Sequence, residues 1–192
     1  MKPTYMIIAG INGAGKSTLF QAYPTVFKNT KRINADEILQ KNHGDWRRIS
    51  DNLTAMRESI IQTKLAFKNR ESLHVETTLA GNGRTQGDFI ALAHHQGFRV
   101  SLWYVALRSP ELAIKRVQLR VSLGGHAVPE ETIYRRYTQS LQNLIKISKL
   151  VDQVSIFDNS KIFQLVYARS DSKILSDDLQ QYPYLPKTNQ LF

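Results

Sequence analysis

The sequence predicts an α/β fold, a mainly parallel sheet with helices on both faces, and three observations predict it. Short apolar runs alternate with helix-like segments through most of the 192 residues, the pattern of strands joined by crossover helices. The first run ends in a glycine-rich turn that opens directly into a helix-like segment. No internal repeat, heptad array or low-complexity tract competes with that reading.

Thr4–Ala9 is an apolar run ending before Gly10, as a buried strand requires, and "KSTLFQAY" from Lys16 reads as helix. A short second strand is expected near Arg32 to Asn34, followed by a helix start. Between Ser50 and Asn69, Leu53, Met56, Ile60 and Phe67 recur at helical spacing, with Asp51 near the start and Lys68 and Arg70 near the end, which favours one amphipathic helix. "SLHVETTL" is the next strand and "GNGRTQGD" a glycine-rich turn after it. Phe89 to Gln96 is helical, closed by Gly97.

"FRVSLWYVAL" is the longest apolar strand. Pro110 opens a helix running to about Leu123, "GGHAVP" interrupts it, and Pro129 begins a helix over Glu130 to Leu150. "DQVSIFDNS" and "IFQLVYARS" are two late strands and candidate hairpin partners. From Asp171 the chain holds Pro183 and Pro186 with little periodicity, so an irregular tail over 171–192 is expected.

A length of 192 residues with 42% hydrophobic and 22% charged content fits one domain, 1–192, with a substantial core. The absence of cysteine excludes a disulfide framework and a thiolate metal site. No apolar run reaches the roughly 18 residues of a membrane span, and the N-terminus lacks the order of a signal peptide. A cytoplasmic protein with no membrane partner is expected. The net charge of +10 favours anionic partners, namely nucleotides, phosphorylated metabolites, nucleic acid or an acidic protein. Because the basic residues are scattered from Lys2 to Lys187, charge alone does not favour nucleic acid over a solvated basic surface.

The stretch from Gly10 to Ser17, "GINGAGKS", is a full match to GxxxxGK(S/T), placed between a strand and a helix as the motif requires. Glycines let such a loop turn its backbone N–H groups inward at phosphate oxygens, and the helix N-terminus adds partial positive charge. Gly10, Asn12, Gly13, Ala14, Gly15, Lys16, Ser17 and Thr18 are therefore the candidate nucleotide-binding residues, for ATP or GTP. Lys16 would reach the outer phosphates and the Ser17 hydroxyl would hold Mg²⁺. Four fixed positions match by chance in on the order of one chain in a hundred of this size, so the motif and its flanks together are specific.

A phosphate cradle does not name the chemistry. No guanine-reading NKxD stretch, transporter-type signature segment or Walker-B acidic pair is evident; a small-molecule kinase needs instead an acceptor-side base, an anion-binding lid and a substrate cleft. Such an enzyme needs a base, and Asp36 lies just past a strand end, where open α/β sheets bind ligands. Asp36 can equally cap the helix that follows, although Asn34 could serve as cap instead. Glu76 ends the third strand beside Val75 and Thr77, where a carboxylate either faces the cleft or pairs with a lysine or arginine. Thr77, Thr78 and the backbone near Gly81 could bind polar substrate groups.

Glu111 with Lys115 and Glu131 with Arg135 are i,i+4 pairs of a solvated helix face. Arg116 and Arg120 share that spacing with like charge and no acidic neighbour, so either they bind an anion or they are simply exposed. With Gly124 and Gly125 as a hinge, residues 109–136 would form a lid that excludes water, and its arginines would neutralise the transferring group. Arg136 is a weaker candidate. His94 and His95 point apart on a helix, His74 sits on a strand, and His126 lies in the lid; structural roles are favoured for all four.

"GINGAGKST", "INADEIL", "ETTLAG", "ALRSPELAIKRVQLRV" and "GGHAVPEETIYRRY" together resemble the zeta-toxin family of P-loop kinases in its short single-domain form, over roughly Tyr5 to Asp158. The resemblance implies a P-loop kinase-like three-layer sandwich with a small helical lid. It also implies transfer of the γ-phosphate of ATP or GTP to the 3′-hydroxyl of the amino sugar of UDP-N-acetylglucosamine, and a separate antitoxin protein as partner. By that likeness Lys16 and Ser17 bind nucleotide and Mg²⁺, Asp36 activates the sugar hydroxyl, Glu76 binds the sugar nucleotide, and Arg116 and Arg120 act from the lid. Ile11 stands where many relatives carry proline, which leaves the amide-bearing positions intact. Kinases of another hydroxyl, including a nucleoside or polynucleotide end, and an ATPase with no acceptor are the competing readings.

Overall fold

The computed structural model describes residues 2–192. Its elements are β1 (Thr4–Ala9), α1 (Lys16–Ala22), α2 (Pro24–Phe27), β2 (Lys31–Ile33), α3 (Ala35–Lys41), α4 (Ile49–Lys68), β3 (Leu73–Thr77) and α5 (Arg84–His95). There follow β4 (Arg99–Ala106), α6 (Pro110–Ser122), α7 (Glu130–Ser148), β5 (Gln153–Asp158), β6 (Gln164–Ser170) and β7 (Lys173–Asp177). One seven-stranded sheet holds the strands in the order β2-β3-β1-β4-β5-β6-β7. The first five in sequence run parallel, and β6 and β7 close one end antiparallel.

Alternation along β1 distributes the core to two faces. Tyr5, Ile7 and Ala9 join the cluster that holds Phe67, Ile90 and Leu144, while Met6 and Ile8 join Leu19, Ile114 and Ile133. Burial on both faces explains why β1 and β4 read as nearly continuous apolar runs. Because β2, β3, β1 and β4 are parallel, the segments after them meet at one edge. From β1 the chain crosses to β2 and then β3 on one side and afterwards to β4 on the other, so the loop after β1 sits at the switch point where such sheets bind ligands.

The expected three-layer α/β sandwich is what the chain forms, with local differences. The α5 helix begins at Arg84, five residues ahead of the expected start. Of the three glycines in the expected turn, Gly81 and Gly83 adopt left-handed φ, 83° and 75°, and Gly87 is carried inside the helix. The four-residue α2 helix, opened by Pro24, was not expected. The expectation of an irregular tail is corrected: β7 pairs antiparallel with β6, and Leu179, Leu185 and Leu191 beyond it are buried. Two 3-10 turns, Leu179–Gln181 and Thr188–Gln190, space those leucines without helical or strand period, so no periodic signal marks them. Among the described residues, no helix is long and apolar enough to cross a membrane.

Candidate active site

The loop after β1 is moulded by contacts that admit only glycine. Gly10, Gly13 and Gly15 have φ of 142°, 80° and 88°, which L side chains rarely adopt. A Cβ on Gly10 would lie 2.5 Å from the Val105 carbonyl oxygen, and one on Gly13 2.7 Å from that of Ala113. Asn159, just beyond β5, donates from Nδ2 to the Ala14 carbonyl at 2.9 Å and fixes the loop from behind. Asn12, Gly13, Gly15, Lys16 and Ser17 line the cleft, whereas Gly10, Ala14 and Thr18 do not. The Thr18 N–H donates to the Gly15 carbonyl at 2.9 Å.

Lys16 Nζ donates to the Gly10 carbonyl at 2.9 Å, so the ammonium is held over the loop. Burial lowers its pKa from the ordinary lysine value, while the carboxylates of Glu76 and Asp36 act in the opposite direction. That coupling places the two acids within electrostatic reach of the phosphate-loop cation.

On the other side of the cleft, Asn34 caps α3. Its Oδ1 accepts from the Asp36 N–H at 2.9 Å, which frees the Asp36 carboxylate from capping. Asp36 therefore stands in the first turn of α3 with its carboxylate along the cleft. Asn34 also donates from Nδ2 to Glu76 Oε1 at 2.9 Å, and Arg32 Nη2 donates to the same oxygen at 2.7 Å. Both alternatives for Glu76 hold together: it is paired with an arginine and it lines the cleft, with 11% of its side chain exposed. The Arg32 guanidinium lies 4.5 Å over the Phe20 ring and also pairs with Glu37 at 2.6 Å. Thr77 Oγ1 accepts from the Leu79 N–H at 3.0 Å, shaping the turn after β3, and Thr78 lines the cleft beside it. Asn143 of α7 donates to the carbonyls of Leu79 and Gly81, which ties that turn to α7.

The third wall comes from α6 and α7. Arg116 and Arg120 line the cleft, but each is also anchored: Arg116 donates to the Asn159 carbonyl at 2.7 Å and Arg120 to that of His126 at 2.8 Å. Gly124 and Gly125 end α6, with the Gly125 N–H donating to the Arg120 carbonyl at 2.9 Å. His126 stacks on Trp46 of the segment between α3 and α4, with ring centroids 5.6 Å apart and planes at 27°, so the segment after α6 reaches the segment before α4. Arg136 reaches the phosphate loop, donating from Nη1 to Asn12 Oδ1 at 2.6 Å.

All these groups converge on a cleft of about 1140 Å³. It gathers Lys16, Ser17, Asp36, Glu76, Thr77, Thr78, Arg116 and Arg120, together with Arg135 and Arg136. The spacing of Arg135 predicts a solvated pair with Glu131, yet it lines the cleft, because spacing on α7 does not reveal which face meets the loop. Asn34, Arg32 and Asn159 were also missed as site-shaping residues; of these only the capping preference of Asn34 left a sequence signal. Among the described residues, no group of three or more His, Asp or Glu side chains could hold a metal. A magnesium ion fits the loop as one held by Ser17 and by phosphate oxygens, since Mg²⁺ takes few protein ligands.

His74 and His94 do not line the cleft. His74 is buried below the cleft with its Nδ1 2.7 Å from Thr30 Oγ1, and Thr30 donates to the Phe27 carbonyl. The ring proton thus sits on Nδ1, leaving Nε2 without a partner. Burial and the nearby Arg32 lower its pKa to about 4. His94 bonds Asp152 at 3.2 Å.

A family model described as Zeta toxin matches residues 1–171. An uncharacterized protein of Haemophilus influenzae is 30% identical over 137 residues, which are 71% of this chain and 94% of that one. A structure from the PezAT chromosomal toxin-antitoxin system of Streptococcus pneumoniae has a TM-score of 0.71 at 18% identity, covering 97% of this chain and 80% of that chain. A structure of AvrRxo1-ORF1:AvrRxo1-ORF2 with sulphate ions has a TM-score of 0.67 at 13% identity, covering 94% of this chain and 62% of that chain. At these identities the two structures establish the likeness of fold.

Proposed function

The chain belongs to the zeta toxin family, and from that premise we propose that it transfers the γ-phosphate of ATP or GTP to the 3′-hydroxyl of the amino sugar of UDP-N-acetylglucosamine. One observation carries the reading: a phosphate-loop lysine and a carboxylate freed from capping, Lys16 and Asp36, face a single cleft and are electrostatically coupled. In this reading residues 1–192 act as one kinase domain, with 109–136 as its lid.

Asp36 takes the proton of the acceptor hydroxyl as that oxygen attacks the γ-phosphorus. A new O–P bond forms, the bond to the β–γ bridging oxygen breaks, and the electron pair leaves with the β-phosphate. Lys16, Arg116, Arg120 and Arg136 neutralise charge on the phosphoryl oxygens, and Gly13, Gly15 and the first turn of α1 direct backbone N–H groups at them. Mg²⁺ held by Ser17 would supply further charge neutralisation. Glu76, pinned by Arg32 and Asn34, orients acceptor hydroxyls, and Thr77 and Thr78 line the same wall. The lid segment that reaches Trp46 excludes water that would otherwise take the phosphoryl group.

The likeness to the PezAT structure supports a separate antitoxin protein as partner. Phosphorylation of a nucleoside or a polynucleotide end, and hydrolysis with no acceptor, are the competing activities. The deciding experiment is incubation with Mg²⁺-ATP or Mg²⁺-GTP and a panel of sugar nucleotides, nucleosides and oligonucleotides, with products read by mass. Product from UDP-N-acetylglucosamine alone is expected; release of ADP with no phosphorylated product would overturn the kinase reading.

A further inference from the structure

A buried carboxylate stands one residue before the side chain that anchors the phosphate loop. Asp158 ends β5, is 4% exposed, and among the described residues no lysine, arginine or histidine pairs with it. A carboxylate buried without a counter-ion is destabilising, and here three hydrogen bonds offset the penalty. Asp158 Oδ1 accepts from Tyr184 Oη and from Ser160 Oγ, each at 2.6 Å, and Oδ2 accepts from the Ser160 N–H at 3.1 Å. Packing does not account for the arrangement, since an apolar residue would close the strand end without that penalty.

What the network fixes is the turn 158–160. The Arg108 N–H donates to Ser160 Oγ at 2.8 Å, and the Asn159 N–H donates to the Ala106 carbonyl at 3.0 Å, so the turn is bound to the end of β4 and the segment after it. With its backbone held, Asn159 serves two partners at once. Its side chain donates to the Ala14 carbonyl of the phosphate loop at 2.9 Å, and its own carbonyl accepts from Arg116 Nη2 at 2.7 Å. One residue therefore sets the phosphate loop and a cleft arginine relative to each other.

Tyr184 comes from the chain after β7, which Leu179, Leu185 and Leu191 bury against the core. Burial and the Asp158 carboxylate raise the Tyr184 pKa, which keeps its hydroxyl a donor. A phenylalanine would pack the same ring, so the oxygen serves Asp158. Neither Tyr184 nor Asp158 lines the cleft. We propose that both are positioning residues of the nucleotide site: by donating to the carboxylate at the end of β5, the tail holds Asn159 where it ties the phosphate loop to Arg116. The inference rests on the reading of that loop as the triphosphate cradle.

The test is a double-variant cycle read by calorimetric binding of a non-hydrolysable ATP analogue with Mg²⁺. Tyr184→Phe is expected to weaken binding by about 3- to 10-fold, the scale of one hydrogen bond. Asn159→Ala is expected to weaken it at least as much, and adding Tyr184→Phe to Asn159→Ala to change it little further, because the partner it acts through is already gone. Ser160→Ala opens the same turn from its other side and is expected to follow Tyr184→Phe. Thr188→Val removes a different bond of the tail, to Asp177 Oδ2, and is expected to lower the melting temperature while affinity holds. In turnover, the loss in Tyr184→Phe should fall on nucleotide KM and kcat, with acceptor KM unchanged.

Wild-type affinity in both Tyr184→Phe and Ser160→Ala, losses that add fully to that of Asn159→Ala, or an equal loss in Thr188→Val overturns the inference. Phosphate transfer distinguishes it from the kinase reading. Coupled loss of analogue binding in a protein that phosphorylates no acceptor keeps the positioning role and removes the kinase, whereas transfer with unchanged constants in Tyr184→Phe and Ser160→Ala does the reverse.

Discussion

Arg136 of α7 donates to Asn12 Oδ1 in the phosphate loop at 2.6 Å, joining two elements that are 124 residues apart in sequence. Among the described residues no carboxylate pairs with this half-buried guanidinium, and burial lowers its pKa. Phosphate oxygens would complete its hydrogen bonds. Arg136→Ala is expected to lower kcat/KM by about 10²-fold, as loss of a transition-state donor does, and Arg136→Lys to recover only part because the planar fork is lost. Steady-state kinetics of both variants check this; wild-type turnover in Arg136→Ala would reduce the contact to a structural tie.

Asp36→Asn is expected to bind ATP nearly as wild type does and to transfer phosphate at least ~10²-fold more slowly, the scale of a lost general base. Asn34 remains to cap α3, so the helix should not be disturbed. Calorimetry for binding and a product assay for transfer separate the two effects. Near-normal transfer would remove Asp36 from the mechanism.

Gly15→Ala meets two obstacles, a φ of 88° and a Cβ placed 2.2 Å from Asn159 Nδ2. The left-handed conformation alone should destabilise the protein by ~1–3 kcal/mol, and the collision should dislodge the anchor on the Ala14 carbonyl. Adding Asn159→Ala is expected to relieve the collision and leave the conformational penalty. Thermal melts of single and double variants measure each part, and equal melting temperatures for all would refute it.

Arg32→Gln removes the cation facing Glu76 and Glu37. Because the arginine is substantially exposed, the stability loss should be on the order of 1 kcal/mol or less. The functional effect should exceed it: a Glu76 freed from one of its two tethers is expected to raise the acceptor KM about 3- to 10-fold while nucleotide affinity holds. Equal changes in both constants would show a general disturbance instead.

His74 makes folding stability depend on pH. Its pKa falls from 6.5 to about 4 in the folded protein, so below pH 6.5 the unfolded chain binds the proton more readily and stability declines as pH drops toward 4. The full difference amounts to about 3 kcal/mol. Urea melts of wild type and His74→Gln between pH 7 and 4 should show a steeper decline for wild type; parallel curves would contradict the assignment.

Much of the architecture was legible because the parallel strands are apolar on both faces and the phosphate loop has a fixed spacing. What escaped had physical reasons. The start of α5 was hidden by Gly83 and Gly87, which serve as cap and interior residue but read together as a turn. The strand Lys173–Asp177 lies at the sheet edge with Ile174 and Leu175 exposed, so it lacks the buried alternation that marks an inner strand. Within the site, Lys16, Asp36 and Glu76 stood in local motifs. The Arg32–Glu76 pair spans 44 residues and the contact of Asn159 with Ala14 spans 145, distances at which no local pattern operates.

The stacking of Trp46 on His126 gives the molecule an intrinsic optical gauge. Of the two tryptophans, Trp103 packs against Tyr23, Phe27 and Phe157 on the opposite face of the sheet, and Trp46 is the one that stacks on the segment after α6. A change in indole emission that is absent from a Trp46→Phe variant would therefore report, without any attached dye, a separation of these two rings on nucleotide addition.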